Sequence, residues 1–343
     1  MLIRLLLLVT VASSLTLPHV ALAYDYDQEG TNKLMMQLIA DVGGHDAVAK
    51  NSGKTLRCSH GGTRKITIAR GKEKTSYRGE YLNCNQNGSI RDGIFEIELQ
   101  GDEVLKSTAR RSKNGELFDA AMEGDTARVG KLIKAKADVN YSESIENSQG
   151  GTIEQWTPLM SAVARESRES VGMLVKAGAW VNYMNSLAVS PLWIAANSGQ
   201  TDTVKFLAKH GAYLNNSNHE DVTPLMAAAM NGHLDVVRFL VGAKAKMNAV
   251  HKDGDTALMF AVARNHTDIA RFLIDAGADV AIRNRFGVTA LIIAAAEGNE
   301  EIVRRLLEKK ADTSARTTDG KTALDVARAR GFTAIAALLE KGI

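Results

Sequence analysis

Chemistry usually announces itself through cysteine clusters, basic blocks or dense aromatics, and this chain of 343 residues has little of any of them. Its only cysteines are Cys58 and Cys84. A metal site there would need two more ligands at a sensible spacing, and none stands nearby. Cys58 has His60 two residues on, a spacing that sends the two side chains to opposite faces of a strand and misplaces a thiol and its base. Net charge is +3, with Lys and Arg mixed among Asp and Glu, and there is no block that reads as a nucleic-acid arm. Aromatics at 5% argue against a sugar-stacking platform. Beyond the N-terminus no run of 18 apolar residues exists, so the remainder is expected to be soluble. No nucleophile elbow, paired carboxylates or metal signature supports an enzyme, and no cofactor is expected. The nearest approach to a phosphate loop is "NSGKT" at 51–55, but Val48 occupies the place of the first glycine it needs.

The first 23 residues have their own logic. Arg4 precedes an apolar run, Pro18 breaks it, and Ala21-Leu22-Ala23 gives a small-x-small end. This is a secretory signal pattern with cleavage expected before Tyr24. Ser13, Ser14, Thr16, Pro18 and His19 interrupt the run and make it a poor spanning anchor. Export to the periplasm or the extracellular space follows, with the short positive start favouring the periplasm. In an oxidising compartment Cys58 and Cys84 are expected to form a disulfide, worth about 3 kcal/mol by chain entropy.

The mature chain divides near residue 112. Between 24 and 111, "TNKLMMQLIADV" places Leu34, Leu38 and Val42 at helical spacing. The texture then turns to short β-rich runs, "LRCS", "RKITIAR", "TSYRGEYLNC" and "GIFEIELQ", separated by Asn-Gly and Asp-Gly turn chemistry. A small α+β domain stapled by the cysteine pair is the expectation. Arg57, His60, Tyr77, Arg78 and Glu80 are its one nameable polar cluster.

From residue 112 to 343 the chain repeats. Thr157, Ser190, Thr223, Thr256, Thr289 and Thr322 are spaced by 33 residues, each followed by Pro or Ala and then Leu. Gly199, Gly232, Gly298 and Gly331 recur nine positions later, with Asn265 in the same slot of one unit. Thr or Ser is a helix N-cap, Pro fits the first turn, and Gly or Asn permits the left-handed turn that ends it. In "TPLMAAAMNGHLDVVRFL", Val236, Val237 and Leu240 make the apolar stripe of a second helix. No unit can bury its own apolar face, so the units must stack.

The period and these motifs resemble the ankyrin repeat family over residues 114–343, with "GELFDAAMEGDTARVGKLIKAKADVN" as an extra first unit. The fold expected is mostly α, an ankyrin-repeat solenoid of about seven units behind a small α+β disulfide-bonded domain. The resemblance implies a groove, lined by first-helix faces and loop tips, that binds another protein. By position these are Ser161, Ile194, Ala227, Phe260 and Ile293, then Asn197, Met230, Asn231, Ala263, Arg264, Ala296 and Glu297. The tips add His219, Glu220, Lys252, Asp253, Arg285 and Phe286. Ile194, Met230, Phe260, Arg264, Arg285 and Phe286 are the contacts expected to matter, since an exposed aromatic beside Arg is hot-spot composition. His219 and His251 sit on neighbouring tips and are expected to be solvated. Where the family usually has His after Thr-Pro-Leu, this chain has Met160, Trp193, Met226, Met259, Ile292 and Asp325, which implies apolar packing in place of a polar network. Nine extra residues within Tyr141–Trp156 predict a long, polar, projecting finger. Two other roles stay open: chemistry within residues 24–111, or an envelope- or glycan-binding N-terminal domain carried on a structural scaffold.

Overall fold

The computed structural model describes the backbone of residues 55–57, 63–70, 75–82, 92–100, 103–110 and 146, and backbone with side chains for 111–145 and 152–341. The leader at 1–23, the helix expected over 31–42, and Cys58, His60 and Cys84 lie outside the described residues.

Five antiparallel strands form a meander in the order β1 (Thr55–Arg57), β2 (Thr63–Arg70), β3 (Thr75–Leu82), β4 (Asp92–Gln100) and β5 (Glu103–Arg110). The first four coincide with the β-rich runs of the sequence. The fifth, "EVLKSTAR", was not anticipated; it pairs with β4 through a register shift at Glu98/Leu99.

Fourteen helices follow among the described residues, in seven pairs. They are α1 (Lys113–Glu123) with α2 (Thr126–Lys134), α3 (Pro158–Ala164) with α4 (Arg168–Lys176), and α5 (Pro191–Asn197) with α6 (Thr201–Lys209). Then come α7 (Pro224–Met230) with α8 (Leu234–Gly242), and α9 (Ala257–Ala263) with α10 (Thr267–Asp275). The last are α11 (Ala290–Glu297) with α12 (Glu300–Glu308), and α13 (Ala323–Ala329) with α14 (Thr333–Lys341). Each odd-numbered helix from α3 onward starts where the 33-residue spacing puts it. The Thr223 hydroxyl, for instance, accepts from the Met226 N–H at 3.3 Å, and Thr256 does the same for Met259. At Thr322 the cap is reciprocal, because Asp325 accepts from the Thr322 N–H.

The two helices of a pair are buried differently. All seven residues of α7 are buried, whereas α8 buries Val236, Val237 and Leu240 and turns its remainder outward. First helices from α3 to α11 are therefore interior and nearly all apolar, whereas α13 buries only Ala323 and Ala327, and second helices are amphipathic. Met160, Trp193, Met226, Met259 and Ile292 are all buried, in agreement with apolar packing at that position, but Asp325 is exposed and serves as a helix cap instead. One polar link persists: the Trp193 Nε1–H donates to the Val222 carbonyl at 2.8 Å.

The insertion between the first two pairs differs from the expected finger. It is a hairpin of β6 (Glu143–Glu146) and β7 (Thr152–Trp156) whose base is core. Tyr141, Ile145, Ile153 and Trp156 are buried because they fall on one face of the paired strands, hidden from inspection by the polar residues between them. Glu143 is also buried. It accepts from the Tyr141 hydroxyl at 2.7 Å and from Arg111 Nη2 at 2.7 Å, while Arg111 Nε reaches Asp119 at 3.0 Å. Burial pushes the Glu143 carboxyl up, against the opposing charge of Arg111. Burial alone would lower the Arg111 guanidinium, but Asp119 and Glu143 more than reverse that and hold it raised.

Candidate functional site

The loop tips at 185–189, 218–222, 251–255, 284–288 and 317–321 are each closed by their first residue. Asn185, Asn218 and Asn284 accept two tip N–H groups each on the side-chain oxygen, at 3.0 Å. Thr317 closes its tip through a single N–H. At the third tip His251 takes this place, with Nδ1 accepting from the Asp255 N–H at 3.0 Å. Neighbouring tips are also joined by backbone bonds: Lys252 N to Glu220 O at 3.2 Å, Arg285 N to Asp253 O at 2.9 Å, and Thr318 N to Phe286 O at 2.9 Å. The result is a fixed lip beside the first helices.

A charged cluster is set into this lip at the fourth and fifth pairs. His251 is 2% exposed, so the expectation of a solvated tip is corrected: the residue is a turn-closing core group. Its ring meets Phe260 edge-on at 5.1 Å, and its Nε2 has no hydrogen-bond partner among the described residues. Asp253 and Asp255 face it at 3.8 and 3.7 Å. Asp255 accepts from Asn284 Nδ2 at 2.8 Å, yet burial outweighs this bond and raises its carboxyl. Arg285 pairs with Asp253 at 2.6 Å and lies 4.6 Å over the Phe286 ring. Lys252 pairs with Glu220 on the outside of the same tip. Among the described residues no group of three or more His, Cys, Asp or Glu is arranged to hold a metal ion.

The six expected contacts divide into two sets. Ile194, Met230 and Phe260 are 2%, 8% and 7% exposed, so they are packing between units and not open contacts. The reason is that each first helix lies between its neighbours. His251 covers Phe260, and His266 reaches over the end of α7 to the Met230 carbonyl at 3.0 Å. Ser161, Ala227, Ile293 and Ala296 are sealed in the same way. Arg264, Arg285 and Phe286 keep accessible surface, as do Asn231, His219 and Lys252. Arg264 caps the end of α9, and partial burial lowers its guanidinium. Its Nη2 is enclosed without a hydrogen-bond partner among the described residues.

Sequence reasoning missed the turns that follow each second helix, where Trp180 and Tyr213 stand 58% and 63% exposed. The signal was present, since these two aromatics occupy the same place in successive units, 33 residues apart.

Comparison with family models matches the description "ankyrin repeats (3 copies)" at residues 117–218 and 192–284, and "ankyrin repeats (many copies)" at 273–327. Among curated proteins no match was found.

Proposed function

Because the chain belongs to the ankyrin repeat family across residues 117–327, we propose that it is an exported protein-interaction module, gripping a partner at the lip around the fifth helix pair. The observation that carries this is Arg264. A guanidinium nitrogen turned inward without an acceptor is costly, and because the side chain as a whole keeps accessible surface, a partner's carboxylate could draw it outward and satisfy it. Arg285 and Phe286 stand with accessible surface on the tip bonded to the one that leads into α9, and supply an aromatic–arginine pair of the kind enriched in hot spots. Both are held in place by the tip-to-tip bonds, so little ordering is left to be done on binding.

Export is supported by the leader pattern and by the strand register. Arg57, Thr63 and Leu82 lie in one row across β1, β2 and β3. In the sequence Cys58 follows Arg57 directly and Cys84 comes two residues after Leu82. Cleavage before Tyr24 and a Cys58–Cys84 bond would both appear in the non-reduced mass of the protein recovered from its host. Retention of residues 1–23, or two free thiols, would count against export. The competing reading of chemistry in residues 24–111 finds no added support: Arg78 and Glu80 hold alternate positions of β3, with Tyr77 not among them.

The test is site-specific photo-cross-linking in the full chain within host cells, from position 285 at the lip and position 205, exposed on α6. A discrete protein adduct is expected from 285 and not from 205, and Arg264→Gln should abolish it. Equal adducts from both positions, or none from 285, would refute lip binding.

A further inference from the structure

A second surface lies away from the lip. The turns after α2, α4, α6 and α8 span residues 134–140, 176–182, 209–215 and 242–248, and they are stitched together by a row of asparagines. Asn140 accepts from the Trp180 N–H at 2.8 Å and donates to the Gly178 carbonyl at 3.2 Å. Asn182 accepts from the Tyr213 N–H at 2.7 Å and donates to the Gly211 carbonyl at 2.9 Å. Asn215 accepts from the Lys246 N–H at 2.8 Å. The four turns thus form one rigid edge, roughly 30 Å long if units stack at helix-packing distance.

That edge has an unusual composition. Its four turns hold six lysines, one acidic residue (Asp138) and no arginine. From this basic background Trp180 and Tyr213 project side by side in register, with the Tyr183 ring 5.7 Å from Trp180. Lysines at the C-terminal ends of α4 and α6 suit the helix dipoles, and Glu169 and Asp202 suit the opposite ends. The dipoles do not explain two large rings left in water on adjacent units, and clustered exposed apolar surface marks an interaction site.

We propose that this edge docks onto an anionic phospholipid surface, with Trp180 and Tyr213 seated at the headgroup level and the lysines over the phosphates. Amphipathic Trp and Tyr rings favour that level. Lysines on long stems reach the headgroups while their aliphatic parts cover apolar surface. The absence of arginine decides against a protein partner here, because protein interfaces are enriched in Arg and depleted in Lys.

The protein carries its own probe. Of its three tryptophans, Trp156 and Trp193 are 0% and 2% exposed, so emission changes on binding report Trp180. The full chain is mixed with vesicles of phosphatidylcholine alone or with phosphatidylserine, and emission and co-sedimentation are followed. A blue shift and co-sedimentation confined to the anionic vesicles are expected. Lys176→Gln, Lys209→Gln and Lys246→Gln combined should weaken binding on the order of 100-fold, since each lysine near such a surface contributes several-fold. Trp180→Ala with Tyr213→Ala should also weaken it, with circular dichroism unchanged. Parent and variants are compared as recovered from the host, with the same N-terminus, so vesicle binding that survives undiminished in the variants comes from elsewhere and overturns the proposal. Equal binding to neutral vesicles, no shift of Trp180, or capture by an acidic peptide matrix with none on vesicles would overturn it as well.

Discussion

Gly254→Ala tests whether the loop tips hold one another in register. Gly254 has φ +90°, a conformation that costs an L-residue about 1–2 kcal/mol. A Cβ there would also stand 2.8 Å from the Asn284 Cα and 3.2 Å from the Arg285 nitrogen. These are backbone atoms and cannot rotate aside, so the tip at 284–288 must shift. The 2.9 Å bond from Arg285 N to Asp253 O is the first casualty, at about 1 kcal/mol. The total is about 2–3 kcal/mol. Gly320 is the control: its φ is +78°, but nothing lies within 4 Å of the added Cβ, so Gly320→Ala meets only the conformational cost of about 1–2 kcal/mol. Urea unfolding of both variants should show the larger loss for Gly254→Ala, by about 1 kcal/mol. Hydrogen exchange should show the Arg285 amide losing protection in that variant alone. Equal losses, or an Arg285 amide as slow as in the parent, would refute the idea that adjacent tips support each other.

Asp255 has its carboxyl raised by burial, with Asn284, His251, Asp253 and Arg285 around it. Its folded value exceeds its unfolded one, so the stability it contributes is complete below about pH 3.9 and is lost as pH climbs through the folded value. Asp255→Asn keeps an acceptor for Asn284 and should gain stability over the parent between pH 4 and pH 7; a urea midpoint gap that does not widen with pH would contradict this. Trp193→Phe removes the donor to Val222, whose carbonyl still accepts from Asn218 N, so the loss should be about 1–2 kcal/mol in thermal or urea unfolding. Asn182→Ala breaks two bonds between the third and second turns and should cost about 1–2 kcal/mol, with faster exchange at the Tyr213 amide; a change below about 0.5 kcal/mol would argue that the asparagine row is ornamental.

The helix pairs were legible in the sequence because their signals are local. A cap hydroxyl, an apolar stripe and a glycine turn act within one unit, and a 33-residue period repeats the message. What covers a residue is not local. The period placed Phe260 and Met230 on the face of a first helix but carried no information about His251 folding back from the preceding tip or His266 arriving from the next pair. The strand at 103–110 escaped because "EVLKSTAR", although preceded by Gly101 and Asp102, lacks aromatics and strong β-branched alternation. The hairpin at 143–156 escaped because Ile145 and Ile153 are scattered among polar neighbours, and only pairing brings them to one side. Exposure at Trp180 and Tyr213 escaped because a turn has no amphipathic period from which to tell inside from outside.

Two residues, Arg111 and Ser112, join β5 to α1, and neither is slack. Ser112 caps α1 through the Gly115 N–H, and Arg111 is the cation bonded to Glu143, whose side chain is 0% exposed. Anyone dissecting the helical array from the sheet therefore faces a precise choice of cut. A fragment beginning at residue 112 strands Glu143 in the interior without that countercharge, a loss of about 3–5 kcal/mol. One beginning at 110 or 111 keeps the clasp, and that single residue decides whether the separated array is a fair stand-in for the whole.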